Sequence, residues 1–416
     1  MKLIKKMFRD KKKKIRRIGT RIYLIVKKVY FFIIPRSVRM IVGKVDQNLI
    51  LLDSPYYKDN VKVLAEYIST HKPKYKIICF IEKNQPVQKH KNIKFIRRSY
   101  TARDKNAYSM AAYYYALKAK YVFYTHSFKW AGDKNKDQVI VNLWHGSGYK
   151  GGESATIAHN FDFMMVPGEI FIRSKAEFFK CEESKILTLG YPRYDLFHTD
   201  DNTLTNAFFK KLNIDLTKDK VVMWLPTFVP DEYLLVYEDP LPYLYSGIPV
   251  IESLDQAIEL DEFCQQNGIK LLLKKHNLRY STSPLDKYLD CLKNIIILSD
   301  EEFKVYDIEL YDLLPLTNGL ISDFSSVAVD YLLLNKPVAY VLRDIEDYRK
   351  TRGFVFENPL DYMPGEHVYT LEDLKMFLKD VSQGKDKHQK IRSDKLPVMH
   401  NITDNYSQRI VAYFDL

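Results

Sequence analysis

The stretch Gly319-Leu320-Ile321-Ser322-Asp323-Phe324-Ser325-Ser326-Val327-Ala328-Val329-Asp330-Tyr331-Leu332-Leu333-Leu334-Asn335-Lys336-Pro337-Val338 decides how the chain is read. A short apolar run ends in Ser-Asp, and two serines open a segment whose residues Val327, Val329, Tyr331 and Leu332 have helical spacing. Asn335-Lys336-Pro337 then stops it before the apolar Val338–Leu342. The order is strand, tight turn, helix, strand. Such a turn offers hydroxyls and unpaired backbone N–H groups where the helix macrodipole favours negative charge, so it suits a phosphate. A plainer reading stays open beside it: Asp323, Ser325 and Ser326 cap a helix and do no more.

The rest of the chain bears on that choice. Its 416 residues suffice for two domains with their own cores, and 46% hydrophobic residues exclude wholesale disorder. Cys79, Cys181, Cys264 and Cys291 are scattered without CxxC spacing, which argues against a zinc site or a disulfide framework and fits a reducing, cytosolic setting. The net charge of +12 is concentrated at one end: residues 1–44 hold 16 Lys/Arg against Asp10 alone, so the remainder carries −3. A body that is not a basic domain argues against a nucleic-acid footprint.

Within 1–44, Ile15, Ile18, Ile22, Ile25, Val26 and Val29 fall on one helical face and Arg17, Arg21, Lys27 and Lys28 around the other. The uncharged run Val29–Pro35 is far short of the ~20 residues a membrane span needs. Lys27 and Lys28 also interrupt any signal-peptide core. A basic amphipathic helix lying on anionic lipid is the sharper reading, at about 1 kcal/mol per Lys/Arg near such a surface. A solvated helix packed on the domain is the other.

From Asn48 onward, apolar runs alternate with helical segments. The candidate strands are Leu49–Leu52, Tyr75–Ile81, Ile93–Ile96, Tyr121–Tyr124, Val139–Leu143, Phe161–Val166 and Ile186–Leu189, with a helix over Ala107–Lys120. After a polar connection at 198–219 a second set follows: Val221–Leu225, a helix near Leu254–Asn267, Ile269–Leu273, Ile295–Leu298, Leu320–Ser322 and Val338–Leu342. Alternation of this kind implies α/β architecture with mostly parallel sheets. The expected organisation is a basic segment (1–44), one α/β domain (45–205), a second (215–400), and a terminal helix (401–416) packing back on the first. Two such domains facing each other leave a cleft at the carboxyl ends of their strands, where ligands bind.

Three further clusters sit at strand exits. Val139-Ile140-Val141-Asn142-Leu143 runs into Trp144-His145-Gly146-Ser147-Gly148-Tyr149-Lys150, so His145 follows a strand directly among small residues that let a ligand approach. An imidazole there can take a proton from an attacking hydroxyl near neutral pH. Trp224-Leu225-Pro226-Thr227-Phe228 places the Thr227 hydroxyl after another strand, and Leu271-Leu272-Leu273-Lys274-Lys275-His276 delivers cations suited to a diphosphate. Of ten histidines, only His145 and His276 leave strong strands, one in each half.

These motifs in this order resemble the CDP-glycerol glycerophosphotransferase family, the teichoic-acid primases and polymerases of GT-B fold. The resemblance covers most of 45–395. It rests on Trp144-His145-Gly146-Ser147 with Lys150, Gly190-Tyr191-Pro192-Arg193-Tyr194-Asp195, Pro226-Thr227-Phe228, Lys275-His276, Ser322-Asp323-Phe324-Ser325-Ser326 with Asp330-Tyr331, Lys336-Pro337, and Tyr348-Arg349 through Arg352-Gly353-Phe354. Departures are Ser147-Gly148-Tyr149 where members usually carry Thr and a pair such as Pro-Leu, Asn277 where Pro commonly follows the histidine, and Val229 where a basic residue is common.

The resemblance implies a GT-B enzyme, two Rossmann-like domains facing across a cleft, with 45–205 the acceptor domain and 215–400 the CDP-donor-binding domain, that moves glycerol phosphate or a related polyol phosphate from a CDP-activated donor to a lipid-linked acceptor, releasing CMP. His145 would be the general base and His276 would act at the donor diphosphate. Thr227, Lys275, Asp323, Ser325 and Ser326 would hold the donor, with Arg193, Gly146 and Lys150 as further candidates. No metal and no cofactor are expected. The implied setting is the cytoplasmic face of a bacterial membrane, reached through residues 1–44, in teichoic-acid or capsule synthesis. Oligomeric state is left open. The rivals are a GT-B glycosyltransferase using a nucleotide sugar and a non-catalytic membrane scaffold.

Overall fold

The computed structural model describes residues 37–54, 57–82, 90, 92–101, 104–126, 128, 134–152, 161–226, 250–274 and 291–416, with backbone alone at 99–101 and 104–108. Most of the basic arm, together with Thr227, Lys275 and His276, lies outside the described residues. Packing separates two compact units: Met1–Leu143 with His159–Phe163, and Trp144–Ala158 with Met164–Leu416.

The first unit is built on a parallel sheet. Its strands are β1 (Asp46–Asp53), β2 (Lys76–Ile81) and β3 (Ile93–Arg97), then, after a small antiparallel pair, β4 (Ser99–Thr101) with β5 (Asp104–Tyr108), the strands β6 (Ala119–Tyr124) and β7 (Val139–Asn142). They lie in the order β3-β2-β1-β6-β7, so the chain starts in the middle, works to one edge, then returns to the other side of β1. Helices α1 (Asp59–His71) and α2 (Met110–Lys118) make the crossovers. Leu49–Leu52 of β1 and Val122–Tyr124 of β6 are fully or almost fully buried, as expected of strands covered on both faces.

The sequence reading missed β4 and β5, whose Ser99-Tyr100-Thr101 and Asp104-Lys105-Asn106-Ala107-Tyr108 carry no apolar run. It also began the following helix too early. Ser109 sits at the N-cap and its hydroxyl accepts the Ala112 N–H at 3.1 Å, while Ala119 and Lys120 belong to β6. Of the arm, residues 37–42 are helical, with Val38 and Val42 buried and Met40 and Ile41 exposed.

The second unit opens with a short parallel pair, β8 (Phe163–Met165) and β9 (Ile186–Leu187), around α3 (Ile172–Phe179). Its main sheet holds β10 (Lys220–Trp224), β11 (Ile269–Leu273), β12 (Ile295–Ile297), β13 (Gly319–Ser322), β14 (Val338–Val341) and β15 (Glu366–Val368), all parallel, ordered β12-β11-β10-β13-β14-β15. Helices α4 (Leu254–Gln266), α5 (Ser326–Tyr331), α6 (Leu371–Ser382), α7 (Gln389–Met399) and α8 (Tyr406–Tyr413) join or follow them. Val222, Leu271, Leu273, Ile321, Ala339 and Val368 pack with Leu260, Leu374 and Leu378 of the covering helices into one apolar core. Each such side chain contributes about 1.5–3 kcal/mol on burial.

The diagnostic stretch folds as strand, turn, helix, strand. Ser322 ends β13 with its hydroxyl on the Leu225 carbonyl at 3.0 Å; α5 starts at Ser326 and runs into a 3-10 turn over Leu332–Leu334. Asn335 then turns left-handed at φ +47°, and the Lys336 ammonium bonds the Thr317 carbonyl at 2.8 Å, which closes the loop before β14. The connection at 198–219 contains a helix, Thr203–Lys211.

Candidate active site

The site lies in the second unit, at the turn that begins with Trp144. Trp144 is held at φ +55°, a region that residues other than glycine visit rarely, and its ring lies 4.0 Å from the His145 ring and 4.9 Å, edge-on, from Phe179 of α3. The left-handed residue reverses the chain as it leaves β7, and the half-buried His145 ring rests on the indole.

Behind it comes the glycine pair. A methyl group on Gly146, whose φ is +140°, would come within 2.8 Å of Ser326 Cβ and 3.4 Å of Arg193 Nη2. One on Gly148 would fall 2.8 Å from Ser326 Cα and 2.9 Å from its nitrogen. Two motifs almost two hundred residues apart in sequence are therefore in van der Waals contact, and glycine is what lets the histidine turn sit on the start of α5.

Arg193 fixes that contact. From the 3-10 turn Pro192–His198, its Nη1 donates to the His145 carbonyl at 3.1 Å and its Nη2 to Asp330 Oδ2 at 2.7 Å. Both side chains are buried. The hydroxyls of Tyr194 and Tyr311 also donate to the Asp330 carboxylate. Burial beside that carboxylate pushes the Tyr194 phenol far above its usual range, so it stays a proton donor. Ser147 adds a hydroxyl contact with Tyr191 at 2.8 Å.

The far end of the turn is laced to residues 353–355. The Gly151 N–H donates to the Gly353 carbonyl at 3.0 Å, the Val355 N–H to the Tyr149 carbonyl at 2.8 Å, and Lys150 bridges Phe354. Tyr149 OH donates to the Tyr362 carbonyl at 2.9 Å. Phe324 packs against Tyr348 and Phe354, with ring centres at 4.5 and 5.1 Å. Burial lowers the Lys150 ammonium to about 8, against the nearby Asp323 carboxylate, which raises it; the Arg352 guanidinium lowers it further.

Of the residues read from the sequence, His145, Gly146, Lys150, Arg193, Asp323, Ser325 and Ser326 are gathered around this turn, whereas Thr227, Lys275 and His276 lie outside the described residues. The plain capping reading fails for Ser325: it occupies the N-cap of α5, but its hydroxyl makes no capping bond. The sequence reading passed over Asp330, Tyr194 and Tyr311 as site residues. The available signal was Asp330 itself, an ionisable side chain inside the apolar run Val327–Leu334, which demands a buried cation.

Two parallel α/β sheets with covering helices give the chain the fold of a GT-B protein. The fold matches that of the wall teichoic acid polymerase TagF, with a TM-score of 0.73 at 21% identity over 97% of this chain and 96% of that one. The chain belongs to the family described as CDP-Glycerol:Poly(glycerophosphate) glycerophosphotransferase, which matches residues 36–414. It is 28% identical over 252 residues to the teichoic acid ribitol-phosphate primase of Bacillus spizizenii, covering 56% of this chain and 58% of that protein. With the teichoic acid glycerol-phosphate transferase of Staphylococcus aureus it shares 25% over 364 residues, 81% of this chain and 85% of that one. A teichoic acid poly(glycerol phosphate) polymerase of Bacillus subtilis is 25% identical over 358 residues, but this chain spans only 42% of its length. Several of the curated relatives are thus about twice as long as the matched part.

Proposed function

We propose that the chain transfers glycerol phosphate, or a related polyol phosphate, from a CDP-activated donor to a hydroxyl of a lipid-linked acceptor in teichoic-acid or capsule synthesis. The acceptor oxygen bonds to the phosphorus that carries the polyol, the bond from that phosphorus to the bridging oxygen breaks, CMP leaves, and the acceptor's proton passes to His145. The seating of the His145 turn on Ser326, with Arg193 holding the His145 carbonyl, is the observation that carries this reading. It supports a reading in which the imidazole acts as base next to hydroxyls and helix amides that would hold a phosphate.

In this reading Ser325, Ser326 and Thr227 orient the donor phosphates, Lys150, Lys275 and His276 offset their charge, and Asp323 receives the polyol hydroxyls. Transfer of this kind depends on positioning and charge stabilisation more than on covalent help, and in this reading the cationic side chains supply the charge stabilisation. A TagF variant was solved after soaking with CDPG, which supports the choice of donor. Residues 1–44 would bring the enzyme to the anionic inner face of a membrane; among the described residues no helix is long and apolar enough to cross one.

The test is release of CMP from CDP-glycerol and a lipid-linked disaccharide by purified protein in the presence of EDTA. Release is expected, and its absence with every CDP-polyol rejects the proposal. His145→Gln should lower the rate by about 10²–10⁴-fold while a thermal shift with CDP-glycerol persists; wild-type turnover by this variant removes the base assignment.

A further inference from the structure

The first unit holds polar groups that the transfer site does not use. Asp53, the last residue of β1, is 1% exposed, and among the described residues neither carboxylate oxygen has a hydrogen-bond partner; Arg98 Nη1 makes an ion pair with Oδ1 at 3.4 Å. Tyr124, the last residue of β6, is fully buried, and among the described residues its hydroxyl has no hydrogen-bond partner either. The two residues are paired in register across adjacent parallel strands, so their side chains leave the same face of the sheet.

Leaving a buried polar group without a hydrogen bond costs about 1–3 kcal/mol, and native proteins rarely accept this without a reason. Burial drives the Asp53 carboxyl up against the lowering effect of Arg98. Around them, Thr125 Oγ1 lies 3.4 Å from Ser54 Oγ, and His126 Nδ1 lies 3.1 Å from Thr125 Oγ1. His126 is held at φ +62°, the kind of local strain that collects at ligand sites.

The location adds a second argument. The order β3-β2-β1-β6-β7 reverses direction between β1 and β6, and ligands of open parallel sheets bind outside the carboxyl ends of the strands at such a reversal. Asp53 and Tyr124 are the carboxyl-terminal residues of those two strands.

We propose that the carboxyl edge of β1 and β6 binds a vicinal diol, with the Asp53 carboxylate accepting two ligand hydroxyls and the Tyr124 hydroxyl donating to a ligand oxygen. A carboxylate at the centre disfavours a phosphate. A single carboxylate beside an arginine disfavours a metal ion. Sugars, polyols and the ribose of a nucleoside all carry the required group. That the diol belongs to the acceptor saccharide rests on the transfer proposed above; the site itself does not.

Saturation-transfer NMR on the full chain, with diacetylchitobiose, ribitol and CMP as separate probes, tests the site without turnover. The saccharide or ribitol should receive saturation from wild-type protein and lose at least 10-fold of it in Asp53→Asn and in Tyr124→Phe, whereas CMP should be unchanged in both. Loss of the CMP signal alone would assign the diol to ribose and overturn the saccharide choice. Tyr124→Phe should also raise the Tm, because it deletes an unmatched hydroxyl. No transfer to any diol, undiminished transfer in both variants, or a fall in Tm for Tyr124→Phe overturns the proposal.

Discussion

Arg193 Nη2 lies 2.7 Å from Asp330 Oδ2, and the same guanidinium holds the His145 carbonyl, so one buried ion pair joins the turn that carries the imidazole to the helix that follows Ser325-Ser326. The pair determines whether the two motifs keep their spacing.

Breaking it should therefore cost both stability and rate. Removing one partner of a buried pair costs about 3–5 kcal/mol, so Asp330→Asn should unfold at markedly lower denaturant. Arg193→Lys keeps a cation but cannot make the two-pronged contact. It should retain most of the stability and lose kcat more than donor affinity, as shown by comparing kcat and KM. Equal losses in both would reduce Arg193 to a structural brace.

The two glycines give a second prediction. Gly146→Ala and Gly148→Ala each drive a methyl group against Ser326, and Gly146 adds a φ of +140° that side chains rarely tolerate. A displacement of about 1 Å at a reacting group can lower the rate by 10²-fold. CMP release should fall by about that factor in both variants while circular dichroism remains native.

Lys150 supplies the pH dependence. Its ammonium titrates near 8 rather than at the ordinary 10.5, so donor KM should rise as pH climbs through 8 and the cation is lost. Stability runs the other way. Between about 8 and 10.5 the unfolded chain binds a proton that the folded chain does not, so this group adds stability as pH rises across that window. Burial brings Lys175 to about 8 as well, so the slope of Lys150→Gln must be subtracted from that of wild type to isolate one group. A KM for Lys150→Gln that still rises above pH 8 would remove the assignment.

The basic arm is tested with vesicles. Deleting residues 2–36 should abolish sedimentation with anionic vesicles, and high salt should weaken the intact chain in the same way, because surface attraction is screened. Binding that survives both would place the contact elsewhere, with exposed Met40 and Ile41 the nearest apolar candidates.

Much of the architecture is legible in the sequence because strands buried on both faces read as unbroken apolar runs: Leu49–Leu52, Ile77–Ile81 and Leu271–Leu273 name themselves. The hairpin β4/β5 is not legible, since Ser99–Thr101 pairs through its backbone and shows no apolar pattern. At the site, His145 and Ser325-Ser326 stand out by their place after strands. The tie between them is not legible. Arg193 stands in the sequence only as a further candidate, and nothing local to Tyr194 or Tyr311 signals that they converge on Asp330, because that convergence exists only after α5 has packed.

The 3-10 turn that carries Arg193 also carries Asp195, whose carboxylate receives the Tyr406 and Ser407 N–H groups at 2.8 and 2.9 Å and so anchors the first turn of α8. Gly190, at φ +69°, leaves just enough room for the Tyr406 ring against the same turn. The tail helix is therefore a lever whose fulcrum lies two residues from the imidazole's tether. A protease nick near Asn405, or an antibody fragment pulling on α8, is expected to disturb the Arg193 contact to the His145 carbonyl through the shared 3-10 turn.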